Sequence, residues 1–336
     1  MSAPRSVAAP APRGVAVLGS TGSLGRSTLA VLRRQREHFR VVALTAGRNL
    51  EEFEAQVAEW RPAYAGLADS YVLLAGDFGG MTREQAARDA IDNATRALQL
   101  DPTLAEAYAS MGFARRVIYW DWAGGADELR RALTLNPSYA TAHQWYGNLL
   151  SDLGREDEAL AEMRKALELD PLSAIISRDV AWPLFFARRY DEAIAQLTDT
   201  LNRHPGYIQA ERLLARAVAQ KGNPRDAVRR FESIASRDHL ARTYCELAWA
   251  LALDGRPQDA DRALASARSS GSPIYPYDLA LAYTALGRRD EAFAALDRAF
   301  SERDPTMLNL KHDPRLNPLR SDPRYTALLQ QMRFPG

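Results

Sequence analysis

The sequence predicts a mostly α chain, an α-solenoid of stacked helix pairs preceded by a short β-α-β-α fragment. Three observations lead there. Two apolar runs of strand character stand close together near the start, with a glycine-rich turn between them. From about residue 60 onward a small residue recurs at a nearly constant spacing: Ala90, Gly125, Ala159, Ala193, Ala227, Ala260 and Ala292, at intervals of 35, 34, 34, 34, 33 and 32. Prolines keep the same step, with Pro102, Pro137, Pro171 and Pro205 separated by 35, 34 and 34. A fixed period of that size is the mark of a stacked repeat.

The elements follow in order. Residues 1–12 are rich in Ala, Pro and Ser and lack the apolar run of a signal peptide, so they are read as a disordered leader. Val15-Ala16-Val17-Leu18 forms a first strand. The turn Gly19 to Gly25 leads into a helix from Ser23 to about Gln35. Val41-Val42-Ala43-Leu44 forms a second strand, which stops at Gly47-Arg48-Asn49, and a second helix runs from Leu50 to Trp60. The pattern changes at Trp60-Arg61-Pro62. Residues 61–305 then hold about seven repeats, each a pair of helices, and five of the seven marker residues directly follow Glu158, Glu192, Asp226, Asp259 or Glu291. Pro183 lies inside a first helix and is expected to kink it. Residues 306–336, with Asp313-Pro314-Arg315-Leu316-Asn317-Pro318-Leu319 and Asp322-Pro323-Arg324-Tyr325, are expected to cap the open end of the stack.

The repeat resembles the tetratricopeptide repeat. In residues 140–173, Tyr146-Gly147 takes the Leu-Gly position of that motif, Leu150 the Tyr, Ala159 the Ala, Met163 the Phe and Pro171 the Pro. The closing segment is similar to the end of repeat regions attached to bacterial signalling and transcription regulators. The resemblance implies a superhelix whose inner face is lined by first helices and suits a protein or peptide partner. In the 34-residue frame Arg178, Trp182 and Phe185 on one first helix, and Arg212 and Arg216 on the next, fall on that concave face. Arg212 and Arg216 are expected to be exposed, which would suit an acidic peptide with one or two apolar anchors. Trp182 and Phe185 also admit the plainer reading of packing between repeats.

The first part resembles a different family. Gly19-x-x-Gly22-x-x-Gly25 between a strand and a helix exposes backbone N–H groups suited to a phosphate. The longer strings Val17-Leu18-Gly19-Ser20-Thr21-Gly22-Ser23-Leu24-Gly25 and Val41-Val42-Ala43-Leu44-Thr45-Ala46-Gly47-Arg48-Asn49 are similar to the start of 1-deoxy-D-xylulose 5-phosphate reductoisomerase, an enzyme of isoprenoid precursor synthesis that uses NADPH and a divalent metal. By that resemblance residues 13–60 are a Rossmann-like, NADPH-binding fragment. Thr21, Gly22, Ser23 and Leu24 would surround the pyrophosphate, and Gly47, Arg48 and Asn49 would sit at the adenosine ribose. Arg48, where an acidic residue would select a free ribose hydroxyl, favours NADPH over NADH. The alternative is an inherited turn that binds nothing. The likeness stops near residue 62, and the family's metal-holding carboxylates and its Asn-Lys-Glu stretch have no counterpart in the sequence, so no metal site and no catalytic residue are expected.

Composition narrows the function further. The 43 basic and 42 acidic residues nearly cancel, which gives no global field toward nucleic acid or an anionic membrane. Only three of the basic residues are lysine, Lys165, Lys221 and Lys311, a bias that carries no functional weight. No apolar run reaches membrane-spanning length, and the single cysteine, Cys245, excludes an internal disulfide and cysteine-rich metal sites, so a cytoplasmic location is expected. His38, His143, His204, His239 and His312 lack metal-ligand spacing, and Trp120-Asp121-Trp122 is expected to pack between helices and not to cage a ligand. The expected function is a non-catalytic protein-interaction scaffold with a vestigial dinucleotide-binding leader. The alternative is an NADPH-binding reductoisomerase-like protein, incomplete in this chain.

Overall fold

The structure is a computed structural model that describes residues 13–17, 23–44, 56, 59 and 83–335. The expected leader 1–12, the turn 18–22, most of the helix expected over 50–60, the junction near 60–62 and the first helix of the first repeat lie outside the described residues. The described part of the chain up to Ala114, with Thr134–Asn136, forms one compact unit, and Arg115–Leu133 with Pro137 onward forms a second.

In the first unit strand β1 (Arg13–Val17) pairs in parallel with β2 (Phe39–Leu44), and helix α1 (Ser23–Arg33) connects them. The register sets Val15 against Val41 and Val17 against Leu44, with an irregularity between Val15 and Ala16. Gly25, Leu29 and Leu32, spaced as one helix face, are buried on α1, and Val41 is buried on β2. Helices α2 (Arg83–Leu100) and α3 (Ala105–Ala114) form a pair whose buried cluster is nearly all small: Ala90, Ala94, Ala97, Ala107, Met111 and Ala114.

The second unit opens with a π-helical turn (Arg115–Tyr119) and α4 (Trp122–Leu135). Antiparallel pairs follow in the expected order: α5 (Ala140–Asp152) with α6 (Glu156–Leu169); α7 (Ala174–Asp179) and α8 (Ala181–Phe186) with α9 (Tyr190–Arg203); α10 (Ile208–Gln220) with α11 (Pro224–Asp238); α12 (Ala241–Leu253) with α13 (Pro257–Ser269); and α14 (Pro276–Ala285) with α15 (Arg289–Ser301). Short 3₁₀ turns (Pro305–Asn309 and Pro314–Leu319) and α16 (Pro323–Gln331) close the unit. Among the described residues of this unit there is no strand.

The marker residues explain the stacking. Ala159, Ala193, Ala227, Ala260 and Ala292 are fully buried, because a larger side chain there would hold the two helices of a pair apart. On the facing helix, a Cβ added to Gly147 would meet the carbonyl oxygen of Ala159 and the side chain of Met163 at 3.1 Å, so the crossing of α5 and α6 is closed to alanine without movement. The turn within each pair ends on a left-handed residue: Gly154, Gly222, Gly255 and Gly287 in four pairs, Arg188 in another, and Trp120 at the start of the unit. The break between α7 and α8 falls where Pro183 has no N–H for the carbonyl of Asp179, four residues earlier.

The closing segment does more than cap. Three Asp-Pro steps, at Asp304, Asp313 and Asp322, recur every nine residues. Each aspartate accepts the backbone N–H two residues on, at 2.9, 3.0 and 3.0 Å, and so starts a short helical turn with proline in its first position. This staircase runs back over the first helices, and Met307, Leu310, Leu316, Leu319, Tyr325, Leu328 and Met332 join the main core. The Trp122 indole donates to the Met332 carbonyl at 3.0 Å, across most of the length of the unit in sequence.

Candidate functional site

First helices are tied to one another by a ladder of buried polar pairs. Gln144, Arg178, Arg212 and Glu246 occupy the same frame position, 34 residues apart. Gln144 Nε2 donates to Asp179 Oδ2 at 2.7 Å, and Arg178 Nε donates to the other oxygen of that carboxylate at 2.7 Å. Arg212 Nη2 donates to Thr243 Oγ1 at 2.6 Å and to Asp238 Oδ2 at 3.0 Å, while Arg216 pairs with Glu246. Arg242 Nε reaches Asp278 Oδ2 at 2.9 Å, and at the near end Arg116 Nε meets Asp152 Oδ2 at 2.5 Å. Burial works to raise the Glu246 carboxyl, but Arg216 and Arg212 outweigh it and hold it below the ordinary carboxylate range. Breaking a pair buried in this way strands a charge.

That geometry corrects the reading of the inner face. Arg212 and Arg216, expected to be exposed, are 8% and 9% accessible, and Phe185 is fully buried. Arg212 is enclosed by Thr243, Asp238 and Glu246, and Arg216 by Glu246 and the Trp182 ring, while the closing segment lies against Phe185. Arg315 and Asp313 are paired at 2.7 Å with side chains 2% and 0% accessible, and the Tyr277 hydroxyl donates to Asp313 at 3.1 Å. The Arg315 guanidinium lies 5.9 Å from the Phe185 ring and 5.8 Å from that of Trp249. Arg188, the left-handed turn residue, donates to Asn317 at 3.2 Å. Trp182 is part-buried, stacks on Phe186 at 5.3 Å and carries the Arg216 guanidinium over its face at 5.6 Å.

Of the five inner-face residues, Arg178 and Trp182 keep part of their surface in solvent, and two residues the sequence reading passed over are exposed close by in the chain. Leu172 is 84% accessible and Ile175 53%. Ile175, Arg178 and Trp182 stand at helical spacing through α7 and α8. A signal for the two was available: in the repeat frame Leu172 stands between Ser138 and Gly206, and Ile175 between Thr141 and Gln209.

Of the cofactor residues, Ser23 and Leu24 open α1 directly after the turn, and Thr21, Gly22, Gly47, Arg48 and Asn49 lie outside the described residues. The turn that would face the phosphates lies outside the described residues, and the described part contributes the N-terminus of α1 beside the parallel strand pair. Among the described residues no group of three His, Cys, Asp or Glu side chains is arranged to hold a metal ion, and no helix is long and apolar enough to cross a membrane. His143 bridges Glu162 Oε2 at 2.5 Å and the Pro137 carbonyl at 3.0 Å, and Cys245 is buried in α12 with its thiol pushed up by burial.

Comparison with known proteins fits this geometry. Residues 140–173 match the tetratricopeptide repeat model, and residues 15–112 match that of 1-deoxy-D-xylulose 5-phosphate reductoisomerase. Two curated reductoisomerases from Nitratidesulfovibrio vulgaris, of strains DP4 and Hildenborough, are 51% and 49% identical over 59 residues, which is 18% of this chain and 14% of each enzyme. The chain therefore spans about a seventh of the length of these relatives. The crystal structure of a tetratricopeptide repeat protein from Parabacteroides merdae superposes with a TM-score of 0.55 at 14% identity, covering 81% of this chain and 99% of that one. The repeat part has the tetratricopeptide-repeat fold.

Proposed function

We propose that the chain is a cytoplasmic protein-interaction scaffold whose partner-binding face is the edge strip of Leu172, Ile175, Arg178 and Trp182, backed by Phe185, Arg212 and Arg216 from within. The observation that carries this reading is a leucine and an isoleucine held in solvent beside a part-buried arginine and tryptophan. The rest of the inner wall is filled by the chain itself. The fold supports a scaffold, and the nearly cancelled charge favours a protein over a nucleic acid. The ligand is a peptide with one or two apolar anchors and an acidic group. The test is capture of partners with Leu172→Asp combined with Ile175→Asp. The double variant is expected to lose the proteins retained by the parent while its melting temperature stays within a degree or two, because surface changes of this kind move stability by roughly 0.5 kcal/mol or less. Retention of the same proteins by the double variant overturns the assignment.

A second reading concerns the N-terminal part. The parallel β1-α1-β2 unit and the match of residues 15–112 favour a remnant NADPH site at Thr21, Gly22, Ser23, Leu24, Gly47, Arg48 and Asn49, without reductoisomerase turnover. NADPH supplies a hydride in the intact enzymes; here the chain's own residues would only hold its phosphates. Calorimetric titration is expected to give binding that Gly22→Asp abolishes. NADPH oxidation with 1-deoxy-D-xylulose 5-phosphate and a divalent metal would show that the fragment is not vestigial.

A further inference from the structure

Four helix pairs of the second unit turn on a left-handed glycine, and the space over one of those glycines is taken. A Cβ added to Gly222, Gly255 or Gly287 would meet nothing within 4 Å, whereas one on Gly154 would stand 2.5 Å from Nε2 of His312 and closer still to Cε1. His312 lies between the two 3₁₀ turns of the closing segment, so its ring seats that segment directly on the turn between α5 and α6. The contact is polar as well as steric. The ring donates to the Leu153 carbonyl, and its Nε2 is buried without a partner among the described residues. An imidazole with its proton on Nδ1 meets both conditions.

A second proton on that ring has no place to go. At Nε2 it would make a buried donor without an acceptor, which carries the full cost of its lost hydration. The carboxylates nearest in the chain are already engaged: Asp313 by Arg315 at 2.7 Å and by the Tyr277 hydroxyl at 3.1 Å, Asp152 by Arg116 at 2.5 Å, and Glu156 by Ser151 at 2.8 Å. Arg155, on the turn itself, pairs with Glu158 at 2.6 Å. Two cations of the closing segment add to the difficulty. Lys311 Nζ donates to the Pro335 carbonyl at 2.8 Å, and Arg320 Nη1 donates to the Lys311 carbonyl at 2.7 Å, so both are held in place beside the ring. Burial first, and then Lys311 and Arg320, pull the His312 pKa down to about 4.

We infer that His312 is an acid-sensitive latch: proton uptake at Nε2 frees the closing segment from the α5–α6 turn and uncovers Phe185, Trp249 and Tyr277, against which Arg315 and Asp313 are seated. The latch is separate from the partner-binding strip and does not depend on it. A folded-state pKa below the unfolded one means that docking is complete above about 6.5 and weakens as pH falls toward 4. The test is hydrogen exchange of the full chain at pH 7 and at pH 5, corrected for the intrinsic rate and read as the ratio of the closing segment to α12. That ratio is expected to rise on the order of tenfold at pH 5, because release takes up one proton. His312→Gln, which keeps a donor for the Leu153 carbonyl and stays neutral, is expected to abolish the rise. His312→Phe, which keeps a ring over Gly154 and cannot ionise, is expected to do the same. No rise in the parent, equal acceleration of the closing segment and α12, or a rise of the parent's size in both variants overturns the inference.

Discussion

The two units are held together by different means. In the first, the described core is thin: Leu29, Leu32 and Val41 beneath a two-stranded parallel sheet, and a helix pair closed by alanines and one methionine. Two-stranded units are marginal by themselves. In the second, Trp249, Tyr277, Tyr325, Phe185, Phe231 and Phe293 are all fully buried in one continuous cluster, and each helix pair shares its apolar face with the next. Repetition lets a modest pair borrow its core from its neighbours, whereas a fragment with few neighbours must supply its own.

The sharpest test of this contrast is Arg315→Ala. It leaves Asp313 buried without its guanidinium, and a broken buried pair costs about 3–5 kcal/mol. Chemical denaturation should show the second unit unfolding at much lower denaturant; a loss below about 1 kcal/mol would show that the closing segment is an accessory and not core. Next in size is Gly147→Ala, where overpacking at the α5–α6 crossing should cost about 1–3 kcal/mol in the same assay.

A pH series gives a directional effect. Burial, with the nearby Asp152 adding to it, pushes the Glu156 carboxyl up to about 8 against a hydrogen bond from Ser151. A raised folded-state pKa means stability that is complete below the unfolded value and falls as pH rises through about 8, so Glu156→Gln should flatten that fall. His312, lowered to about 4 first by burial and then by Lys311 and Arg320, works the other way and lets stability fall as pH drops from 6.5 toward 4. Smallest of all is Arg33→Ala in the first unit. Its pairing with Glu59 at 2.5 Å is largely solvated and contributes about 0–1 kcal/mol, so a large loss of stability there would break the comparison.

Local rules made much of the fold legible. The small residues every 34 positions mark close crossings, and Pro183 breaks its helix because a missing N–H acts within one turn. Less legible was what fills the inner wall. Arg212 and Arg216 looked like a basic groove because a residue type does not report its partner, and Glu246 and the Asp313–Arg315 pair arrive from far along the chain. Leu172, Ile175 and Trp120 were visible as departures from the repeat frame, but only a comparison of repeats turns a departure into a signal.

Cys245 gives this molecule a built-in clock. It is the single thiol in the chain, it sits in α12, and burial keeps it protonated and out of reach. A thiol reagent can modify it only after α12 comes away from its neighbours, so the labelling rate counts excursions of the stack without any added probe. If those excursions are concerted, weakening the distant closing segment will quicken the clock as much as weakening α12 itself. If they are local, the clock will respond to α12 alone.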